Sequence, residues 1–146
     1  MTKQIRIILV DSDIDNLKYI SVLLKSHFSD IFIEIYSNAK RAINRIQRNN
    51  FDIVITELNF NDDGYDGWDI IDAAYFSGKS ILILSNTTLF QKFKIFFQQR
   101  SKSDRLIYLN KSYNKKDLFK YIEELLPKTV SETCILKRTE RNLMLY

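Results

Sequence analysis

Asp11, Ser12 and Asp13 close one apolar run of this 146-residue chain, Glu57 closes a second, Ser85 and Asn86 a third, and Lys111 a fourth. Carboxylates present the anionic oxygen that hard cations prefer, and an ammonium among carboxylates neutralises them as ion pairs. Any one of these residues would mean little alone. Polar, chemistry-bearing residues at successive run ends ask for an architecture that brings those ends together.

The pattern between them supplies it. Gln4–Val10, QIRIILV, is rich in Ile and Val and stops at an Asp-rich turn, which predicts a buried strand. Asn16–Phe28 carries Leu17, Ile20, Leu24 and Phe28 at helical spacing. The alternation continues with strands at Ile31–Tyr36, Asp52–Thr56, Ser80–Leu84 and Leu106–Leu109, and helices at Ala39–Asn49, Trp68–Phe76, Leu89–Arg100 and Lys116–Leu126. Short connections between strands of this kind require right-handed crossovers, hence a parallel sheet with helices on both faces. In such a sheet, ligands bind outside the carboxyl ends of the strands, where the residues named above fall.

Length and composition agree with one α/β domain. A chain of this size buries roughly 70% of its unfolded surface without metal or disulfide support. It is 45% hydrophobic with three Gly and one Pro, unlike a disordered or collagen-like sequence. Pro127 ends the last helix, so the expected organisation is a domain over residues 1–127 followed by a basic tail over 128–146. The start of the chain has only a four-residue apolar run before Asp11, and no apolar stretch approaches membrane length. Cys134 is the only cysteine, so neither an internal disulfide nor a cysteine zinc site is expected. A cytoplasmic protein without membrane insertion follows as the expectation.

Charge is unevenly placed. Twenty-two Lys and Arg against 18 Asp and Glu give +4, but Asp11, Asp13, Asp15, Glu57, Asp62, Asp63, Asp66, Asp69 and Asp72 lie in two windows that hold no basic residue. The rest of the chain therefore carries +13. A basic surplus alone suggests nucleic acid, yet no helix-turn-helix, RNP or zinc signature accompanies it. The acidic focus is the feature that needs a function.

From Gln4 to Leu126 the sequence resembles the receiver domain of bacterial response regulators, the CheY-like family. The resemblance is carried by ILVDSD at the first strand, FDIVITELNF at the third, DGWDII opening the third helix, ILILSN at the fourth strand and YLNKSY at the fifth. It implies a doubly wound (βα)5 fold with strand order 2-1-3-4-5. It also implies phosphoryl transfer from a histidine kinase to an Asp ending the third strand, assisted by a divalent cation on an acidic pair after the first.

Carried over position by position, Lys111 falls on the family's phosphate-contacting lysine, Ser85 on its switch hydroxyl, Tyr108 on its switch aromatic and Asp11 on the first of the acidic pair. Glu57 stands at the phosphoacceptor position, Ser12 at that of the usual direct metal ligand, Asn86 after the switch hydroxyl, and Ser112 where a proline normally follows the lysine. Glu57 sets its carboxylate one methylene further out, and misplacement by about an ångström can cost about a hundredfold in rate. Ser12 removes a charge from the cation site. Mg²⁺ is then held weakly if at all, with Asp11 and Asp13 as the candidate ligands, and no cofactor is required. Glu57 instead reaches toward Lys111, either as an ion pair that neutralises a buried lysine or as a stand-in for the aspartyl phosphate.

Three functions compete. The first is a phosphorylation-independent, non-enzymatic signalling module of a two-component phosphorelay, binding a histidine kinase or a downstream effector. The resemblance assigns that contact to the surface of the fourth helix, fifth strand and fifth helix, also the family's usual homodimer face, which Lys92, Lys94, Lys115, Lys116 and Lys120 would decorate. The second is a working receiver phosphorylated with Mg²⁺ on an unusual carboxylate such as Asp11 or Asp13. The third is a haloacid-dehalogenase-type phosphatase, suggested by Asp11-x-Asp13 after a strand, but its acidic metal motif should follow the lysine, where only Asp117 stands.

Two further features read as structural. NFNDDGYDG, from Asn59 to Gly67, places Asn59, Asn61, Asp63 and Gly64 at calcium-loop positions, but Ile70 occupies the place of the bidentate Glu, so turn formation explains it. His27, at the border of an apolar stripe with no neighbouring motif, is expected to be structural.

Overall fold

The computed structural model describes residues 4–60, 64–85 and 105–126. Five parallel strands form one sheet in the order β2-β1-β3-β4-β5, with β1 at Ile5–Val10, β2 at Ile31–Tyr36, β3 at Ile53–Thr56, β4 at Ser80–Ser85 and β5 at Leu106–Asn110. Four helices accompany them among the described residues: α1 at Ile14–His27, α2 at Ala39–Gln47, α3 at Gly67–Phe76 and α4 at Lys115–Leu125. The helix predicted over Leu89–Arg100 and the tail from 128 to 146 lie outside the described residues. None of the described helices is long and apolar enough to cross a membrane.

Strand alternation sorts the apolar residues between two cores. Ile5, Ile7 and Leu9 of β1, Ile53 and Ile55 of β3, and Leu82 and Leu84 of β4 face α1 and α4. Ile8 and Val10, Val54, and Ile81 and Ile83 face α2 and α3. A period of two on strands buried from both sides gives near-continuous apolar runs, which is why β3 and β4 read as unbroken hydrophobic sequence.

Polar residues before each helix set where it begins. Asp13 accepts from the amides of Asp15 and Asn16, so α1 starts two residues earlier than the apolar spacing predicts. Asn38 and Asn114 cap α2 and α4 in the same way. Asp66 and Asp69 form a reciprocal capping box that fixes the first turn of α3. At the other end of α2, Asn49 and Asn50 take left-handed conformations, so the helix stops at Gln47 rather than running to Asn49. Leu126 is extended, with ψ 147°, the conformation favoured before a proline, and α4 ends at Leu125.

The capping box gives a direct test. Asp66→Ala removes acceptors for the amides of Trp68 and Asp69, and urea denaturation should show a loss of about 1 kcal/mol.

Candidate functional site at the carboxyl end of the sheet

The central strands β1 and β3 end side by side, held by a bond from the Glu57 amide to the Val10 carbonyl at 3.1 Å. The residues just past those ends are therefore forced together. Asp11 and Glu57 are only 4% and 6% exposed, although both are carboxylates. Burial of charge is tolerated where it is paired and hydrogen-bonded, and both conditions are met here.

The Lys111 ammonium, delivered by the turn after β5, lies 3.1 Å from Asp11 Oδ2 and 2.5 Å from Glu57 Oε2. The remaining carboxylate oxygens are also engaged. Asp11 Oδ1 accepts from the Asp13 amide at 2.9 Å, and Oδ2 accepts from Asn16 Nδ2 at 2.7 Å. Glu57 Oε1 accepts from the amides of Leu58 at 2.7 Å and Asn59 at 3.3 Å. Burial pulls the Lys111 pKa down, but the hydrogen bond and charge of Glu57 together with Asp11 outweigh it and hold the ammonium above its ordinary value.

Ser85 and Tyr108 lie alongside. Ser85 is fully buried at the end of β4, and its carbonyl accepts both the Lys111 amide at 3.2 Å and the Tyr108 hydroxyl at 3.1 Å. Burial and then the Glu57 charge push the Tyr108 phenol up, so its ring feels the same carboxylate that binds Lys111.

Sequence reasoning singled out Asp11, Glu57, Ser85, Tyr108 and Lys111, and all of them converge. Asp13 lies at the rim: it is exposed and lines the same pocket as Asn16 and Lys111, its amide donates to Asp11, and its Oδ1 caps α1. Ser12 is exposed as well. Asn16 was missed. It sits one helical turn past Asp11, in the first turn of α1, and an amide that close behind a buried carboxylate is the signal that could have found it. His27 lies away from the site between α1 and α4, stacked on Phe119 with ring centroids 3.8 Å apart and 3.6 Å from Glu123. Of the acidic loop, Asn61, Asp62 and Asp63 lie outside the described residues, as do Asn86, Lys92 and Lys94. Lys115, Lys116 and Lys120 are exposed on α4.

A divalent cation is implied by the family resemblance, and the donor set does not fit one as it is arranged. Asp11 and Glu57 already share an ammonium between them, and the described residues contain no cluster of three His, Cys, Asp or Glu side chains able to hold a metal. Hard cations take six or more oxygens, preferentially anionic ones.

α3 approaches this site very closely. The Gly67 amide donates to the Leu58 carbonyl at 3.0 Å, and a Cβ on Gly67 would lie 2.4 Å from both the Glu57 carbonyl oxygen and Leu58 Cα. Only glycine lets the helix start there.

No protein-family model matches this sequence, and no curated protein matches it. Solved structures do. A CheY-like response regulator receiver domain protein from Methanospirillum hungatei JF-1 superposes with a TM-score of 0.71 at 20% identity, covering 89% of this chain and 99% of that one. A two-component response regulator from Clostridium difficile gives 0.67 at 23% identity, over 84% and 95%. The signal receiver domain of an HD domain-containing protein from Pseudomonas fluorescens Pf-5 gives 0.68 at 17% identity, over 84% and 94%. The chain has the flavodoxin-like α/β fold of CheY-like receiver domains, with the strand order expected from sequence.

Two outcomes test the geometry. Lys111→Met leaves two buried carboxylates facing each other and should cost about 3 kcal/mol, the low end for a broken buried pair because the lysine side chain keeps 22% exposure. Since the folded-state pKa of Lys111 is raised, its stabilisation is complete below the ordinary value of 10.5 and is lost as pH rises through the folded value. The stability gap between wild type and Lys111→Met should therefore hold at neutral pH and shrink in strongly alkaline buffer. Gly67→Ala pushes on backbone atoms and should destabilise by about 1–3 kcal/mol in the same urea titrations.

Proposed function

We propose that the chain is a response-regulator-like signalling module of a two-component system that acts by protein contact without being phosphorylated. Glu57 takes the part of the aspartyl phosphate. The observation that carries this reading is the ion pair between Glu57 Oε2 and the Lys111 ammonium, Lys111 standing, by the resemblance, at the family's phosphate-contacting position. Tyr108 supports it, because its ring lies within the Glu57 field while its hydroxyl is tied to the Ser85 carbonyl. A permanent carboxylate on Lys111 then holds one signalling state, with no cation needed.

The same contacts argue against Glu57 as a nucleophile. One of its oxygens is bound to Lys111 and the other to two backbone amides, so neither is presented to an incoming phosphoryl donor. The proposed partner is a histidine kinase or a downstream effector, docking on the surface that includes β5 and α4, with Lys115, Lys116 and Lys120 as its exposed charges.

Incubation with a small acyl phosphate and magnesium, read by intact mass, should leave the mass unchanged. A stoichiometric, hydroxylamine-labile phosphoryl adduct would overturn the proposal. In parallel, Glu57→Gln keeps the side-chain shape and removes the charge. Tyr108 resonances should shift and affinity for the partner should change. A variant with the wild-type Tyr108 environment and wild-type binding would sink the mimicry.

A further inference from the structure

Among the described residues, the sheet has an edge whose outward backbone groups have no partner. β2 is the outermost strand, and it pairs with β1 in an unbroken register from Ile5 with Ile31 to Val10 with Tyr36. The Ile5 amide donates to the Asp30 carbonyl at 2.9 Å and the Asp11 amide to the Tyr36 carbonyl at 3.2 Å. Parallel pairing uses the main chain of alternate residues, so the even-numbered positions of β2 bond to β1. The amides and carbonyls of Ile31, Ile33 and Ile35 consequently point outward, away from the sheet.

Proteins ordinarily blunt such an edge with lysine, proline, a bulge or a covering segment. β2 reads IFIEIY and has no lysine or proline, and its register shows no bulge. Phe32 and Ile35 are 44% and 45% exposed, so no described residue covers the strand at those positions. Its single charge, Glu34, is neutralised within the molecule. Arg45 of α2 donates to both its oxygens, at 2.7 and 3.1 Å, and the Tyr36 hydroxyl adds a third bond at 2.9 Å. Burial raises the Glu34 pKa, but the bonds from Arg45 and Tyr36 outweigh it and hold the carboxyl below its ordinary range, so the pair persists at neutral pH.

We propose that β2 is a homodimerisation edge, on which a second copy of this chain adds its own β2 in antiparallel orientation to make one continuous sheet. The strand is self-complementary in a single favoured register. With the two-fold axis at Ile33 and perpendicular to the sheet, Ile33 exchanges main-chain bonds with the partner's Ile33, and Ile31 with the partner's Ile35. All the outward groups of β2 are then satisfied. Ile31, Ile33 and Ile35 share a face, so apolar side chains meet apolar side chains there. On the other face Phe32 lies opposite the partner's Glu34, beside the Arg45 guanidinium that neutralises it, an arrangement favourable to a cation–π contact. A register centred on Glu34 would bring like charges together, and one centred on Phe32 would leave Ile35 unpaired. This edge lies at the opposite side of the sheet from β5, so the dimer leaves the proposed partner surface open.

Sedimentation equilibrium of the full chain, in reducing buffer because of Cys134, should show a monomer–dimer equilibrium. Hydrogen exchange across the same concentration range is the sharper readout. The amides of Ile31, Ile33 and Ile35 should gain protection as dimer accumulates, whereas those of Phe32 and Glu34 stay protected throughout. Ile35→Lys, at an exposed position, should weaken the dimer by about tenfold or more, since each copy loses an apolar cross-strand pair and gains an edge lysine. Phe76→Ser, at a residue 81% exposed on α3, should leave the dimer unchanged. A strictly monomeric chain at millimolar concentration would overturn the proposal. So would a dimer in which the three isoleucine amides exchange as fast as in the monomer, or one that Ile35→Lys does not weaken.

Discussion

One ammonium joins the ends of three strands. Lys111 follows β5, Asp11 follows β1 and Glu57 follows β3, so the contacts at 3.1 and 2.5 Å tie the edge of the sheet to its centre across β4. Much else at this end of the molecule depends on that triangle. The turn after β5 is held by the Lys111 amide on the Ser85 carbonyl, the same carbonyl that receives Tyr108. Asp11 in turn gathers the Asp13 amide and Asn16 and so sets the entry into α1. Charge, loop conformation and helix start are coupled here through a handful of hydrogen bonds.

The fold was legible in the sequence because each element declares itself by period. Runs such as IVIT and SILILS are apolar on both faces, as only a strand covered from both sides need be, and the helices between them carry single apolar stripes. Helix starts were less legible. Apolar spacing locates the buried face, while the first turn of α1 is decided by a polar residue, Asp13, whose side chain accepts the free amides. Read only as a carboxylate, Asp13 belonged with Asp11 as a ligand. Read as a cap, it gives one oxygen, Oδ1, to two amides of α1. Both readings were present in one residue type, and the backbone geometry shows the cap.

The site was legible for a different reason. A parallel sheet sends all its carboxyl ends to one side, so topology alone assembles Asp11, Glu57, Ser85 and Lys111. What topology does not convey is which hydrogen bonds each side chain makes once there. Asn16 escaped notice because asparagine near a helix start is common and is usually explained by local backbone bonding. Gly67 also escaped: its role depends on how closely the start of α3 approaches the chain after β3, so that an added Cβ would meet backbone at 2.4 Å, and that closeness has no sequence signature beyond the glycine itself.

Charge at the site is not balanced by side chains alone. Two buried carboxylates share a single ammonium, and a second cation would be expected if Coulombic pairing were the whole account. Oriented dipoles make up the difference. The amides of Asp13, Leu58 and Asn59 and the carboxamide of Asn16 all aim their N–H groups at carboxylate oxygens. Hydrogen bonds to an ionised acceptor are roughly twice as strong as neutral ones, and backbone donors are already in place when the chain folds. An acidic pocket can therefore be held closed by its own backbone and one lysine. That explains how a molecule carrying +13 outside two short acidic windows keeps its most buried negative charges where the strands end.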